Sequence, residues 1–197
     1  TEGFNSRDLV LDSNSYHHYG VINEKFALST YNNMAPVGIY VEDVDYTKAA
    51  VQQNIMELNT QAADLKFTQG PADCWINGFV SYLATKSDVC EDAPCDFSSS
   101  GVDISEAQFK THIVTFMQED AYKRYAQDLV FNDDGLVISS RSWLYHVDIE
   151  ETPEQVEAME LLTDFCEKWT GLEKKPWPSS WIYIYVYQFA ISTSERA

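Results

Sequence analysis

The sequence predicts an α+β fold of the ferredoxin-like, split βαβ kind: a four-stranded antiparallel sheet with two helices on one face and a helical insertion. Three observations predict it. Short apolar stretches, several with an aliphatic residue at every second position, mark strands at 37–41, 129–131, 136–147 and 181–187. Apolar stripes at steps of three and four mark two amphipathic helices, one after Asp45 and one after Thr152. An Asp-Gly turn at Asp134-Gly135 joins the middle two strands into a hairpin.

Taken in order, residues 1–34 are polar and aromatic and read as a leader. Val37, Ile39 and Val41 then share one face of a strand. Val51, Ile55, Leu58, Ala62 and Leu65 form the stripe of the first helix. Residues 67–127 read as the helical insertion: a short segment around Cys74 to Val80, a cysteine loop, and a helix opened by the capping box Ser105-Glu106-Ala107-Gln108, with Phe109, Ile113, Phe116 and Met117 inward. In the turn Asn132-Asp133-Asp134-Gly135 the two acids are turn formers, not metal ligands. Thr152-Pro153-Glu154-Gln155 supplies an N-cap, a first-turn proline and a capping-box glutamine; Val156, Met159, Leu162, Cys166 and Trp169 form the stripe, and Gly171 is the expected stop. The last strand falls in the run Trp181 to Ile191, where Ile182, Ile184 and Val186 alternate with Tyr183, Tyr185 and Tyr187. That run is too short to cross a bilayer as a helix, which takes about 20 apolar residues.

Composition bounds the function. A chain of 197 residues, 45% hydrophobic and 14% aromatic, can bury a core as one domain. Thirteen Lys and Arg against 31 Asp and Glu give a net charge of -18, which repels nucleic acid and excludes it as a partner. The acids are scattered over helix starts, turns and loops, as on a solvated surface. Cys90 and Cys95 bracket a short polar loop, so a disulfide and an oxidising compartment are expected; Cys74 and Cys166 are left either to pair with each other or to stand as buried thiols. The N-terminus Thr1-Glu2-Gly3-Phe4 lacks the charged-then-apolar order of a signal peptide, so targeting information is expected outside this chain.

Chemistry-bearing motifs are missing. There is no nucleophile elbow, phosphate-cradling loop, zinc-protease helix or dinucleotide fingerprint, so neither an enzyme nor a cofactor is expected. His17 and His18 are adjacent and point apart, and His112 and His146 read as hydrogen-bonded structural residues; no metal site is expected. Aromatic residues remain. Trp75, Phe79, Trp143 and Tyr183 are the candidates for an aromatic cleft suited to a flat apolar ligand such as a sterol.

Several stretches carry a resemblance. Asp12-Ser13-Asn14-Ser15-Tyr16 followed by Ala35-Pro36-Val37-Gly38-Ile39-Tyr40-Val41 resembles the opening of the second large extracytoplasmic domain of the Patched and Niemann-Pick C type family. These are sterol-sensing-domain proteins of the resistance-nodulation-division transporter superfamily. Val44-Asp45-Tyr46 resembles the start of that domain's first helix, Asp73-Cys74-Trp75-Ile76 its Ser-Ser-Trp segment, and Asp134-Gly135 to Ser140-Arg141 its Gly-to-Ser-Arg strand. Trp177-Pro178-Ser179-Ser180-Trp181 to Gln188 resembles the closing segment that leads into the next transmembrane helix. The likeness runs collinear over nearly the whole chain. Cys74 stands where the family has serine, and its cysteine-rich loops are reduced here to Cys90 and Cys95.

The resemblance implies a ferredoxin-like domain on the extracellular or endomembrane-lumenal side of a membrane protein, with residues 1–34 leading from one membrane segment and 188–197 toward the next. It implies partnership with a paired extracytoplasmic domain and the transmembrane helices of the same protein, a conduit for sterol or another lipid, and no catalytic residue. The alternative is an extracellular protein-interaction or receptor module with no transport role. A secreted hydrolase is the third reading.

Overall fold

A computed structural model describes residues 35–180, apart from 91–93, 148, 150 and 151. The fold is α+β, and among the described residues its sheet has five strands, all paired antiparallel. In chain order the elements are β1 (Ala35–Glu42), α1 (Ala49–Ala63), β2 (Thr68–Asp73), α2 (Trp75–Leu83), α3 (Glu106–Gln118), a 3-10 turn (Lys123–Asp128), β3 (Leu129–Phe131), β4 (Val137–His146), α4 (Thr152–Lys168) and β5 (Trp177–Ser180).

The sheet order is β2-β4-β1-β5, with β3 also paired to β4. β4 is the longest strand because it serves three partners. Along one edge it meets all of β1, from Ala35 opposite His146 to Glu42 opposite Ser139. Along the other it meets β3 at Ser140 to Val137 and β2 at His146 to Trp143.

One core lies on one side of this sheet. Val37, Ile39 and Val41 from β1 and Leu144 from β4 pack with Ile55, Leu58 and Ala62 of α1 and with Leu162 and Cys166 of α4. Trp75, Ile76, Phe79, Val80 and Leu83 of α2 join the same core, as do Phe109, Ile113 and Phe116 of α3. The stripes and the strand alternation therefore meet as expected. Ser105 accepts a hydrogen bond from the Gln108 amide while the Gln108 side chain returns to the Ser105 amide, which is the capping box at α3. Gly135 takes φ of +78° in the hairpin turn, a conformation that side chains rarely adopt.

Three expectations need correction, and a further one falls outside the described residues. The insertion was expected to begin at residue 67, yet Thr68–Asp73 forms β2, so the helical excursion starts only after Asp73. Thr-Gln-Gly-Pro-Ala-Asp has no alternation and contains Gly and Pro, residues tolerated in a strand at a sheet edge. β2 is therefore held by pairing with β4, not by its own propensity. Second, that strand makes five among the described residues where four were expected. Third, the last described strand is Trp177–Ser180, paired with Tyr40 to Val37; the expected strand at 181–187 lies outside the described residues, as do the leader 1–34 and the junction 188–197. Fourth, α4 ends at Lys168, before Gly171, and Gly171 is not among the glycines of positive φ. Its smallness serves packing: a Cβ there would lie 2.2 Å from the Asn54 side chain.

Candidate functional site

The strands bury one face and present the other. Ser140, Ser142, Leu144 and His146 of β4 point to the core, so Arg141, Trp143 and Tyr145 lie on the opposite face. Register places Tyr40 between Arg141 on one side and Trp177 on the other. The Tyr40 and Trp177 rings stack at 4.1 Å with 6° between their planes. Arg141 lies over the Trp143 ring at 4.1 Å.

Gly38 makes this arrangement fit. It stands opposite Trp143 on one side and Ser179 on the other, and a Cβ would lie 2.9 Å from the Tyr40 ring and 3.0 Å from the Arg141 stem. The absence of a side chain lets both neighbours fold over β1.

Asp128, at the end of the 3-10 turn, anchors the group. Its Oδ1 accepts from Arg141 Nε at 2.9 Å, from Arg141 Nη2 at 2.6 Å and from Trp143 Nε1 at 3.0 Å. The carboxylate is nearly closed off, and the Arg141 side chain is 23% exposed. Burial works against the Arg141 charge, and the Asp128 bonds outweigh it, so the guanidinium pKa is raised. With three donors converging on one oxygen, the carboxylate holds the Arg141 and Trp143 side chains in place. The outer face is thus a rigid aromatic platform with one neutralised Arg, and Trp177 and Tyr145 are each 42% exposed on it.

The four residues expected to line an aromatic cleft are not brought together. Trp75 and Phe79 are both fully buried, ring centroids 5.7 Å apart, under the helices. Trp143 is on the other face of the sheet, and Tyr183 lies outside the described residues. The correction has a simple cause. An α2 residue at either position points into the shared core of the insertion, whereas odd-numbered positions of β4 point away from it.

Cys90 and Cys95 form a disulfide with Cα atoms 6.2 Å apart. Cys74 and Cys166 do not pair; both are buried free thiols. Cys74 Sγ accepts from Asn59 Nδ2 at 3.5 Å and lies 3.3 Å from the Ser142 hydroxyl. Burial raises the pKa of both thiols, that of Cys166 to about 12. His112 meets Asp88 through Nε2 at 2.9 Å, and His146 Nδ1 lies 3.1 Å from the Phe67 carbonyl. No group of three or more His, Cys, Asp or Glu among the described residues is placed to hold a metal ion.

Sequence reasoning missed Tyr40, Asp128, Arg141 and Trp177 as a set. The signal available was phase: Tyr40 and Arg141 alternate with core positions, and two large polar-tipped side chains there mark a face that water does not fully own. Compared with protein-family models and with curated proteins, the chain matches none.

Proposed function

We propose that this chain is the second extracytoplasmic domain of a Patched-like or Niemann-Pick-like membrane protein and contributes to a conduit for sterol or another lipid. The observation that carries the proposal is where the resembling stretches lie in space. Tyr46, in the stretch that starts α1, donates to the Val41 carbonyl at 2.8 Å and lies 3.0 Å from the Ser140 hydroxyl, 94 residues away. Its ring sits 5.6 Å from that of Trp75, and Tyr40 stacks on Trp177. Stretches scattered through the sequence therefore meet around β1 and β4, as the parts of one fold would. The order β5-β1-β4-β2 supports the ferredoxin-like reading, with β2 and β3 sharing the place of one edge strand.

On this reading the lipid-facing aromatics are those of the outer face, Tyr40, Trp143, Tyr145 and Trp177, because Trp75 and Phe79 are sealed in the core. No residue is assigned a catalytic role, and no cofactor is needed. The partners are the paired extracytoplasmic domain and the transmembrane helices of the same protein, on the extracellular or lumenal side. No helix among the described residues is long and apolar enough to cross a membrane.

The encoded sequence on either side tests this first: apolar spans of about 20 residues should flank the domain. Tryptophan quenching by a sterol analogue on the full-length protein tests it further, and the signal should saturate. The interaction-module reading is favoured by a different observation, the exposed Trp177 and Tyr145 beside Arg141, since aromatics and Arg are enriched at protein interfaces. No saturable quenching, together with capture of a defined extracellular protein, would replace the first reading with the second.

A further inference from the structure

The start of α1 is completed by chain from elsewhere. Its N-cap, Lys48, makes no side-chain capping bond, and the first turn carries no acid. Residues 97–104 make up for both. Asp103 Oδ1 accepts from the Ala49 amide at 2.9 Å, and the Ile104 amide donates to the Thr47 carbonyl at 3.1 Å. Gln52, fully buried, accepts from the Val102 amide at 2.9 Å and donates to the Val102 carbonyl at 3.0 Å, as a neighbouring strand would. Gly101 takes φ of +65° where the segment crosses the helix, and a Cβ there would lie 2.7 Å from the Ala49 carbonyl oxygen. Val102 and Ile104 are buried in the core, so the segment is a strap laid over the head of α1.

A covalent link holds the strap from the α2 side. Cys90 is buried and Cys95 half-buried, and the disulfide joins them. The Cys95 amide donates to the Ala84 carbonyl at 3.0 Å, just past the end of α2. Two residues beyond Cys95, Phe97 packs on the core, and its carbonyl accepts from the Ser100 and Gly101 amides, which turns the chain onto α1. At its far end the strap runs into Ser105, the cap of α3.

We propose that this strap is a detachable cap for α1, latched by the disulfide of Cys90 and Cys95, and that a dithiol reductant releases it. A thiolate of the reductant attacks the half-buried Cys95 sulfur, the S–S bond breaks, and Cys90 leaves as a thiolate that takes up a proton. The second thiol of the reductant then displaces Cys95, which is protonated in turn. Two electrons pass to the protein, and the reductant departs as a cyclic disulfide. The opened strap then gains chain freedom that the closed loop denies it, which for so short a loop favours opening by about tenfold. Opening removes the acceptors of the Ala49 and Val102 amides and leaves the Gln52 side chain only the Tyr46 carbonyl. The Tyr46 hydroxyl in turn joins Val41 to Ser140, so the switch acts where α1 is tied to β1 and β4. It stands apart from the lipid reading.

Hydrogen exchange of the full chain, followed by NMR with and without dithiothreitol, tests the proposal. Alkylation of the folded, reduced chain should first show two labels by mass spectrometry, on Cys90 and Cys95. The Ala49, Val102 and Ile104 amides should then exchange about tenfold faster than in the oxidised chain. Gln108, held by its local capping box, and Leu162 on α4 should be unchanged. Replacing both cysteines, Cys90→Ser with Cys95→Ser, should give the fast exchange whether or not the dithiol is present, and reoxidation of the unaltered chain should restore the slow exchange. A disulfide that the dithiol leaves intact in the folded protein would overturn the proposal. So would an acceleration shared equally by α4, which would make the link a staple of the whole fold, or strap amides that exchange alike in both redox states.

Discussion

Asp128 shows how much one side chain can organise. It accepts from the Arg141 and Trp143 side chains of the same strand, so its loss leaves a partly buried guanidinium and an indole N–H without their acceptor. Asp128→Ala should destabilise by about 3 kcal/mol, less than a fully buried pair because Arg141 retains some water contact. Urea denaturation checks this, and a change under about 0.5 kcal/mol, the range of ordinary surface substitutions, would show that the outer face is not held as described. His146 provides a test of sign. Burial lowers its pKa and the Phe67 carbonyl bond works weakly the other way, so the folded state keeps the imidazole neutral. The unfolded chain takes up a proton near about pH 6.5, so the stability from His146 is complete above that value and is lost as pH falls toward the lower folded pKa. An NMR titration should find this imidazole protonating below the ordinary histidine range; protonation at or above it would contradict the assignment.

Helix ends and edge strands divide what sequence could show from what it could not. The capping box at Ser105 was legible because both of its bonds are local, three residues apart. Ser105→Ala should therefore cost about 1 kcal/mol, read from the thermal midpoint. The start of α1 was not legible in the same way. Its first amide is bonded by Asp103, across 54 residues, and Gln52 stitches Tyr46 to Val102 from inside the helix. Asp45 instead turns the chain through Thr47. β2 was missed for a related reason: Gln69 to Asp73 acquires its strand conformation from β4, and nothing in its own six residues announces it. The cysteine loop lies between these cases, since a separation of five residues makes the pairing of Cys90 with Cys95 local while its tie to α2, from the Cys95 amide to the Ala84 carbonyl, is not. Alkylation should proceed accordingly. Without reductant or denaturant no cysteine should react, because Cys74 and Cys166 are buried with raised pKa values. Denaturant alone should expose those two thiols, and a reductant should add Cys90 and Cys95; four reactive thiols before reduction would remove the disulfide and with it the argument for an oxidising compartment.

At the scale of the molecule, the candidate site was less legible than the fold. Periodicity brought Val37, Ile39 and Val41 together with Ile55, Leu58 and Leu162, because burial follows repeat length. A contact surface has no period of its own. Trp75 and Phe79 looked like ligand residues only because large aromatics serve cores and clefts alike, and the packing of α2 against α3 puts both rings in the core. The outer face instead draws on β1, the 3-10 turn, β4 and β5, from Tyr40 to Trp177, and only the register joins them. If the domain lines a lipid conduit, that face is where lipid and protein meet. Photo-crosslinking with a diazirine sterol in membranes that contain the full-length protein asks this directly. The account predicts labelling that competes with unlabelled sterol and maps to peptides carrying Tyr145 and Trp177. Labelling that no competitor reduces, or that is confined to other surfaces of this domain, would contradict it.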